Sequence, residues 1–159
     1  MAKGPCIFQG YFKGESENQE AFTSDGFFRT GDIARFDSDG HVIITGRKKD
    51  IIIRGGENIS AFEVEELITG HPKVQQVAAV GMPDSVLGER VCAFVKPKKE
   101  MVVSLEEIVS YLRTKKASVL YFPERIEVIE EMPLTKVGKV DKRILREEIK
   151  EKLKKEGKI

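Results

Sequence analysis

An α/β or α+β protein is the fold class that this sequence predicts, built as one domain or as one domain with a fragment of another. The chain has 159 residues, 40% of them hydrophobic and 33% charged, which is enough to bury a core. Short β-branched runs alternate along it with apolar residues at helical spacing. No apolar run approaches the roughly 20 residues that span a bilayer. We therefore predict a soluble, cytoplasmic protein.

The balance of charges and of metal-binding residues excludes several classes of function. The 27 lysines and arginines nearly match the 26 aspartates and glutamates, and a net charge of +1 argues against a dedicated nucleic-acid binder. Cys6 and Cys92 are too few for a disulfide framework or a four-ligand zinc site. His41 and His71 lie far apart in the chain and do not form a metal-binding pair. No metal site is predicted.

The first predicted element is a β-hairpin that follows a loop-like stretch, residues 1–31. Six aromatic side chains of that stretch need a surface to pack on: Phe8, Tyr11, Phe12, Phe22, Phe27 and Phe28. Residues 33–36 and 41–45 then read as two strands, joined by the turn DSDG. DSDG also resembles the start of a calcium loop, but the remaining oxygen ligands are not at the required spacing. We interpret it as a turn.

The next elements are a strand and a capped helix. Residues 51–53 form a short β-branched run that ends at Gly55-Gly56. Ser60, with Glu63 three residues later, predicts a capping box at a helix N-terminus. The apolar stripe of that helix is Val64, Leu67 and Ile68, and Gly70 with Pro72 ends it.

Two buried strands and two further helices complete the predicted order. Residues 77–82 and 90–95 read as strands joined by a turn. Ser104 starts a second capped helix, residues 125–129 alternate like an edge strand, and Asp141 caps a final helix. Residues 136–159 carry ten basic and five acidic side chains. The simplest interpretation is a solvated helix whose lysines complement its dipole.

Two segments of the first third contain groups suited to a nucleotide. Asp32 follows a Thr-Gly turn, and a carboxylate there can accept hydrogen bonds from a ribose diol, or it can simply cap the turn. GRKKD (46–50) places four charged residues between two apolar strands, so it belongs at a surface or a domain junction. Arg47 is a fork donor for ribose or phosphate oxygens, or part of an exposed linker.

A third segment, PLTKVGK (133–139), precedes the last helix. Gly138 permits a close backbone approach, and Lys139 can bring a point charge to a phosphate, or be a solvated loop lysine. The segment is not a Walker A loop, because its glycine pattern is incomplete and no Ser or Thr follows the lysine. A P-loop hydrolase is therefore excluded.

Four segments taken in order resemble the AMP-forming acyl-CoA synthetases, a superfamily that includes peptide-synthetase adenylation domains and the luciferases. They are GFFRTGD (26–32), GRKKD (46–50), RGGENIS (54–60) and PLTKVGK (133–139). The sequence of residues 10–32 and 83–94 looks most like the 2,3-dihydroxybenzoate–AMP ligases, and medium-chain acyl-CoA synthetases are nearly as close. The similarity in character extends over residues 5–159.

The resemblance implies an α+β fold and a division of the chain. Residues 1–48 resemble the C-terminal end of a large adenylation domain, including the β-hairpin. Residues 49–159 resemble the small C-terminal domain, with a central antiparallel sheet flanked by helices. The phosphate loop and acid pocket of the family are missing from the sequence, so the chain alone is expected to be inactive.

The resemblance also implies substrates and roles. The family joins a carboxylic acid to ATP, giving acyl-AMP and pyrophosphate, and then transfers the acyl group to CoA or to a carrier pantetheine. By motif, Lys139 is the catalytic lysine of adenylation, Asp32 holds the ribose hydroxyls, and Arg47 contacts the nucleotide. Lys49 is the hinge, and residues 55–57 (Gly55, Gly56 and Glu57) approach the thiol. Mg²⁺ is bound mainly by the missing part.

Two alternatives stay open at this point. The acid is either an aryl acid or a fatty acid, and the acceptor is CoA or a carrier protein. In a different class, the chain is a non-catalytic interaction module whose basic C-terminal helix binds a partner.

Exposed aromatic residues and Ile43-Ile44 further predict that the isolated chain self-associates.

Overall fold

The computed structural model describes all residues, 1–159, and divides them into two compact units. The first unit is Met1–Lys49 and the second is Asp50–Ile159. None of the helices combines the length and apolarity required to cross a membrane.

The first unit contains one short helix and one hairpin. Helix α1 (Glu15–Ala21) lies inside the stretch that was predicted to be loop, and it was missed because it buries no residue. The aromatic side chains of this stretch pack chiefly on one another. Phe8 contacts Tyr11, Phe22 and Phe28 edge to face, with ring centroids 5.0, 5.5 and 5.1 Å away.

The predicted hairpin is confirmed as β1 (Asp32–Phe36) and β2 (Val42–Arg47), which pair antiparallel. The side chain of Asp37 organises the turn, because its Oδ1 accepts hydrogen bonds from the backbone N–H groups of Asp39 and His41. Gly40, with φ of +83°, occupies the left-handed position that the turn requires.

The second unit is the larger one. Its strands and helices are β3 (Ile51–Arg54), β4 (Glu57–Ser60), α2 (Ala61–Thr69), β5 (Val74–Asp84), β6 (Gly88–Pro97), α3 (Leu105–Thr114), β7 (Arg125–Val128) and α4 (Lys142–Lys155). Short 3-10 turns cover Lys48–Asp50, at the end of the first unit, and Val119–Tyr121.

The sheet of the second unit is antiparallel except at one edge. Its order is β4-β3-β6-β5, and β7 joins β6 as a parallel neighbour. A parallel strand requires a crossover connection of a dozen or more residues. Helix α3 lies in that connection. The unit is thus α+β as predicted, with a mixed rather than purely antiparallel sheet.

Each face of this sheet carries its own core. Alternate residues of β5 and β6 point to opposite faces, so both strands are apolar almost throughout. One face packs against α2 and α3, where Val64, Ile108 and Leu112 are fully buried. The other packs against α4 through Leu145, Ile149 and Leu153. The basic C-terminal stretch is therefore a helix with a buried apolar stripe.

All three predicted N-caps are present. The Ser60 hydroxyl accepts a hydrogen bond from the backbone N–H of Glu63. Ser104 and Glu107 form a complete, reciprocal capping box. The Asp141 carboxylate accepts from the backbone N–H of Arg143.

Three glutamates complete the sheet where its strands diverge. Glu89 accepts from the N–H of Ile53 (2.8 Å), beyond the single point at which β3 pairs with β6. Glu124 accepts from the N–H of Val91 (2.8 Å) in β6. Val91 lies between the part of β6 that pairs with β3 and the part that pairs with β7. Glu65 in α2 accepts from Ala79 (2.7 Å). These carboxylates satisfy backbone donors that no strand pairs with; the bonds to Val91 and Ala79 are partly buried, and the bond to Ile53 is exposed.

The two cysteines have opposite environments. Cys6 is exposed in the first unit, whereas Cys92 is fully buried under α4 in the second. Burial raises the pKa of the Cys92 thiol to about 12.

Candidate functional site

Asp32 and Arg47 lie side by side at the open end of the β1–β2 hairpin. They are cross-strand partners, and Arg47 Nε donates to Asp32 Oδ1 at 2.7 Å. This hydrogen bond from the guanidinium is the main reason that the pKa of Asp32 is lowered. Gly31, directly before Asp32, has a φ of +73°, in the left-handed region that favours glycine. The two predicted nucleotide contacts are therefore brought together.

A shallow recess adjoins this pair. It has a volume of about 520 Å³ and is lined by Thr30, Gly31, Arg47, Lys48 and Lys49. Three of the five lining side chains are cationic. A recess of this kind can accept an anionic group, while the carboxylate beside it can accept hydrogen bonds from hydroxyls.

The predicted hinge residue, Lys49, is the last residue of the first unit. It is exposed and lies in the 3-10 turn Lys48–Asp50. The backbone N–H of Lys48 donates to Gly31 O at 2.8 Å, which ties the start of this turn to the recess.

Gly55 and Gly56 form the tight turn between β3 and β4. Their φ angles of +58° and +90° match the type I′ turn that joins hairpin strands. No strand was predicted between Gly56 and Ser60, but Glu57–Ser60 is a strand, and Glu57 pairs with Arg54. Gly55 also donates its N–H to Leu87 O at 2.8 Å, so the turn lies against the β5–β6 connection. Glu57 is exposed.

Lys139 lies on a second small hairpin, just before α4. Thr135 and Lys139 are joined by two hydrogen bonds: Thr135 N to Lys139 O at 2.7 Å, and Lys139 N to Thr135 Oγ1 at 3.2 Å. Gly138, with φ of +80°, closes the turn by donating to Thr135 O. The Lys139 side chain is exposed. A hydrogen-bonded loop thus presents the Lys139 side chain to solvent.

The Lys139 hairpin and the Gly55-Gly56 turn are linked to different ends of β3. Helix α4, which follows Lys139, contacts Asp50 immediately before β3 through Arg146. The glycine turn follows Arg54 at the other end. At about 3.3 Å per residue, the ends of this four-residue strand are about 10 Å apart. The contact of α4 with Asp50 and the glycine turn therefore lie at opposite ends of this strand.

Sequence reasoning missed the residues that hold these groups in place. Thr135 lies in the segment PLTKVGK, but its hydroxyl is assigned no role from the sequence alone. Its position four residues before Lys139 is the signal that could have identified it. Asp50 and Arg146 are 96 positions apart, and no local pattern connects them.

One cluster of metal-binding side chains occurs in the structure. Asp37, Asp39 and His41 lie close together in the β1–β2 turn. Asp37 already accepts two backbone hydrogen bonds, and its Oδ2 contacts His41 Nδ1 at 3.0 Å. This hydrogen bonding agrees with the interpretation of the segment as a turn.

Comparison with known proteins supports a family assignment. Residues 63–139 match the AMP-binding enzyme C-terminal domain family. The chain is 46% identical over 153 residues to 2,3-dihydroxybenzoate-AMP ligase of Bacillus subtilis, covering 96% of this chain and 28% of that protein. It is 44% identical over 153 residues to medium-chain fatty-acid–CoA ligase of Escherichia coli, with 96% and 27% covered.

A solved structure agrees in fold. ATP-bound MatB from Rhodopseudomonas palustris superposes with a TM-score of 0.82 at 34% identity, covering 93% of this chain and 29% of MatB. The chain thus spans little more than a quarter of the length of these relatives. These findings place residues 63–139 in the AMP-binding enzyme C-terminal domain family, and over most of its length the chain is similar to adenylate-forming ligases.

Proposed function

We propose that this chain is the C-terminal part of an ATP-dependent carboxylic acid ligase that forms AMP. In the first half-reaction, a carboxylate oxygen attacks the α-phosphorus of ATP, and the bond to pyrophosphate breaks. In the second, a thiol attacks the acyl carbon of the acyl-AMP, and AMP leaves. The observation that carries the proposal is the ordered Lys139 hairpin, which presents an exposed ammonium in a chain similar to such ligases.

Lys139 acts in the first half-reaction. Negative charge spreads over the carboxylate oxygen and the phosphate oxygens as the new bond forms, and a positioned cation stabilises that charge. Lysine suits this role because its compact charge is carried on a flexible stem. Two hydrogen bonds, from Thr135 N to Lys139 O and from Lys139 N to the Thr135 hydroxyl, fix where that stem begins.

Asp32 and Arg47 bind the nucleotide. Arg47 occupies Asp32 Oδ1, and we assign Oδ2 to the ribose hydroxyls. The recess beside them takes the anionic part of the nucleotide, because Arg47, Lys48 and Lys49 line it. In the second half-reaction, the turn formed by Gly55 and Gly56, with Glu57 after it, faces the thiol, and Lys49 is the hinge between the two states.

Mg²⁺ and the acceptor are the remaining components. We propose that Mg²⁺ arrives with ATP and is held mainly by the part of the enzyme that precedes this chain. The acceptor is CoA or the pantetheine of a carrier protein. An aryl acid such as 2,3-dihydroxybenzoate is the first proposed substrate and a medium-chain fatty acid is the second, because the two relatives differ little in identity, 46% against 44%.

Substitution of Lys139 tests the proposal. In the full-length protein, we expect Lys139→Ala to reduce ATP–pyrophosphate exchange by about 10²-fold or more, the usual effect of removing one transition-state charge partner. Thioester formation from supplied acyl-AMP should change little. Lys136→Ala, an exposed lysine in the same turn, is the matched control. Equal loss of both half-reactions, or an equal effect of Lys136→Ala, would contradict the role of Lys139.

A panel of acids separates the two substrates. Exchange measured with 2,3-dihydroxybenzoate and with a medium-chain fatty acid identifies the acid, and thioester assays with CoA and with a carrier protein identify the acceptor. Absence of exchange with every acid would contradict the proposed activity as a whole.

A further inference from the structure

A partly buried ion pair joins the start of the second unit to its last helix. Arg146 Nη2 lies 2.7 Å from Asp50 Oδ1. The Asp50 side chain is 13% exposed and that of Arg146 is 33% exposed. Asp50 follows the predicted hinge Lys49 directly, and Arg146 lies in the second turn of α4. The pair therefore connects the junction with the helix that follows the Lys139 hairpin.

A second ion pair fixes the first turn of the same helix. Lys142 Nζ lies 2.6 Å from Glu65 Oε1, and both side chains are less than one-fifth exposed. Glu65 is itself held by the backbone N–H of Ala79. The N-terminal half of α4 is thus attached at two points, to β3 through Asp50 and to α2 through Glu65.

The connection continues from α4 to the lysine hairpin. Asp141, the N-cap of α4, donates its backbone N–H to Pro133 O at 2.8 Å, which closes the base of the hairpin. Leu134 and Val140 pair just above it. The hairpin has its own hydrogen bonds, and its exposed tip is connected to the rest of the unit through this base, which α4 follows directly and which Met132 and Val140 also join to the core.

We propose that Asp50 and Arg146 are positioning residues for Lys139. Through α4 they fix the lysine hairpin relative to the junction, so that movement about Lys49 carries Lys139 as one rigid body. This inference rests on the proposed function, because it assumes that Lys139 serves adenylation. Misplacement of a catalytic group by about 1 Å can cost about 10²-fold in rate, so a loose α4 would impair that step selectively.

Stability alone makes a different prediction. Breaking a buried ion pair leaves one charge uncompensated and destabilises the fold. A purely structural effect would lower both half-reactions alike and would do so whether or not Lys139 is present. A positioning effect would lower adenylation alone and would disappear when Lys139 is already removed.

The experiment uses the full-length protein with Asp50→Asn, Arg146→Gln and the double variant, each with Lys139 and with Lys139→Ala. We expect each to lower kcat for ATP–pyrophosphate exchange by about tenfold to about 10²-fold. The double variant should be no worse than either single one, and thioester formation from supplied acyl-AMP should change less than about twofold. In the Lys139→Ala background, none should reduce exchange further.

Two further variants keep the test interpretable. Arg146→Lys retains the charge and should restore part of the activity if Arg146→Gln folds poorly. Lys154→Gln removes a cation from an exposed pair of the same helix, 51% and 54% exposed, and should leave both half-reactions unchanged.

Several results would overturn the inference. They are equal losses in both half-reactions, the same loss with and without Lys139, or no loss in an active enzyme. A different result, no exchange by the unmodified protein with any acid, overturns the proposed function first, and the positioning role falls with it.

Discussion

At the residue scale, Asp84 shows how one carboxylate can stabilise a turn. Its Oδ1 accepts from the backbone N–H groups of Val86 and Leu87, and its Oδ2 accepts from Arg90 Nε. Hydrogen bonds to the charged form favour that form. Donation from Leu87 is the largest cause, followed by Arg90 and then Val86, and together they lower the pKa of Asp84 from 3.8 to about 2.

The pH dependence follows from the direction of this shift. A carboxylate whose pKa is depressed by folding adds stability above its unfolded pKa and loses it as the pH falls through the folded value. The contribution of Asp84 is therefore complete above about pH 4 and is lost between about pH 4 and pH 2. We expect Asp84→Asn to destabilise the 159-residue chain to urea at pH 7 more than at about pH 3.

The control for Asp84 is Glu66→Gln, at an exposed position of α2. It should change the urea midpoint little at either pH. If Asp84→Asn lowers stability by the same amount at both pH values, charge is not the source of its effect.

At the element scale, local signals made the three helices of the second unit predictable. Ser60, Ser104 and Asp141 each bond to a backbone group two or three residues away, so the cap and its partner are read in one short window. Strand β4 was missed because its burial does not alternate: Glu57 and Asn58 are exposed, whereas the last two residues are buried.

Longer-range features could not be read from the sequence. The parallel pairing of β7 depends on where the crossover returns the chain, and residues 125–128 carry no sign of it. The pairing of Arg47 with Asp32 depends on the hairpin register, which a bulge near Ile33 shifts. Motif resemblance identified candidate groups, but the contacts that place them required the fold.

The capping box of α3 supports a quantitative prediction. Ser104 accepts from Glu107 N at 3.2 Å, and the Glu107 carboxylate accepts from Ser104 N at 3.1 Å. We expect Ser104→Ala to lower the free energy of unfolding by about 1 kcal/mol. The N–H of Glu107 loses its acceptor, and the reciprocal bond from the N–H of Ser104 becomes less ordered. Urea unfolding followed by circular dichroism measures it.

Ser110→Ala is the matched substitution in the same helix. Ser110 is exposed in the interior of α3, where alanine is the better helix former, so stability should be unchanged or slightly higher. A similar loss in both variants would mean that capping is not the cause.

At the scale of the whole molecule, the two compact units invite a test of the junction. Proline fixes φ and removes the backbone N–H, so it restricts rotation at its own position. In the full-length protein, we expect Lys49→Pro to depress thioester formation more than ATP–pyrophosphate exchange, because one orientation is trapped. Lys49→Ala, which leaves the backbone free, should affect the two assays equally. An unchanged overall rate with proline would count against Lys49 as a hinge.

Self-association of the isolated chain is a further prediction at this scale. Several aromatic side chains of the first unit pack on one another. One face of the β1–β2 hairpin, however, leaves apolar side chains exposed. Phe36, Val42 and Ile44 share that face through the strand register and are 73%, 60% and 49% exposed. We expect the 159-residue chain to sediment as more than a monomer at micromolar concentration.

Polar substitutions on this face provide the comparison. The double variant Phe36→Ser and Ile44→Thr should shift sedimentation toward the monomer. The control double variant, Val119→Ser and Val102→Thr at exposed positions of the second unit, should not. A monomer at all concentrations for the unmodified chain would rule the prediction out.

The contrast between the two cysteines has a practical consequence. A maleimide reacts with the thiolate, and Cys92 is both enclosed and held in its protonated form. Cys6 is therefore the only native attachment point for a fluorophore in this chain, and it lies in the first unit. One cysteine substituted on the surface of the second unit would complete a donor–acceptor pair, so energy transfer would test the proposed rotation about Lys49 without removal of either native cysteine.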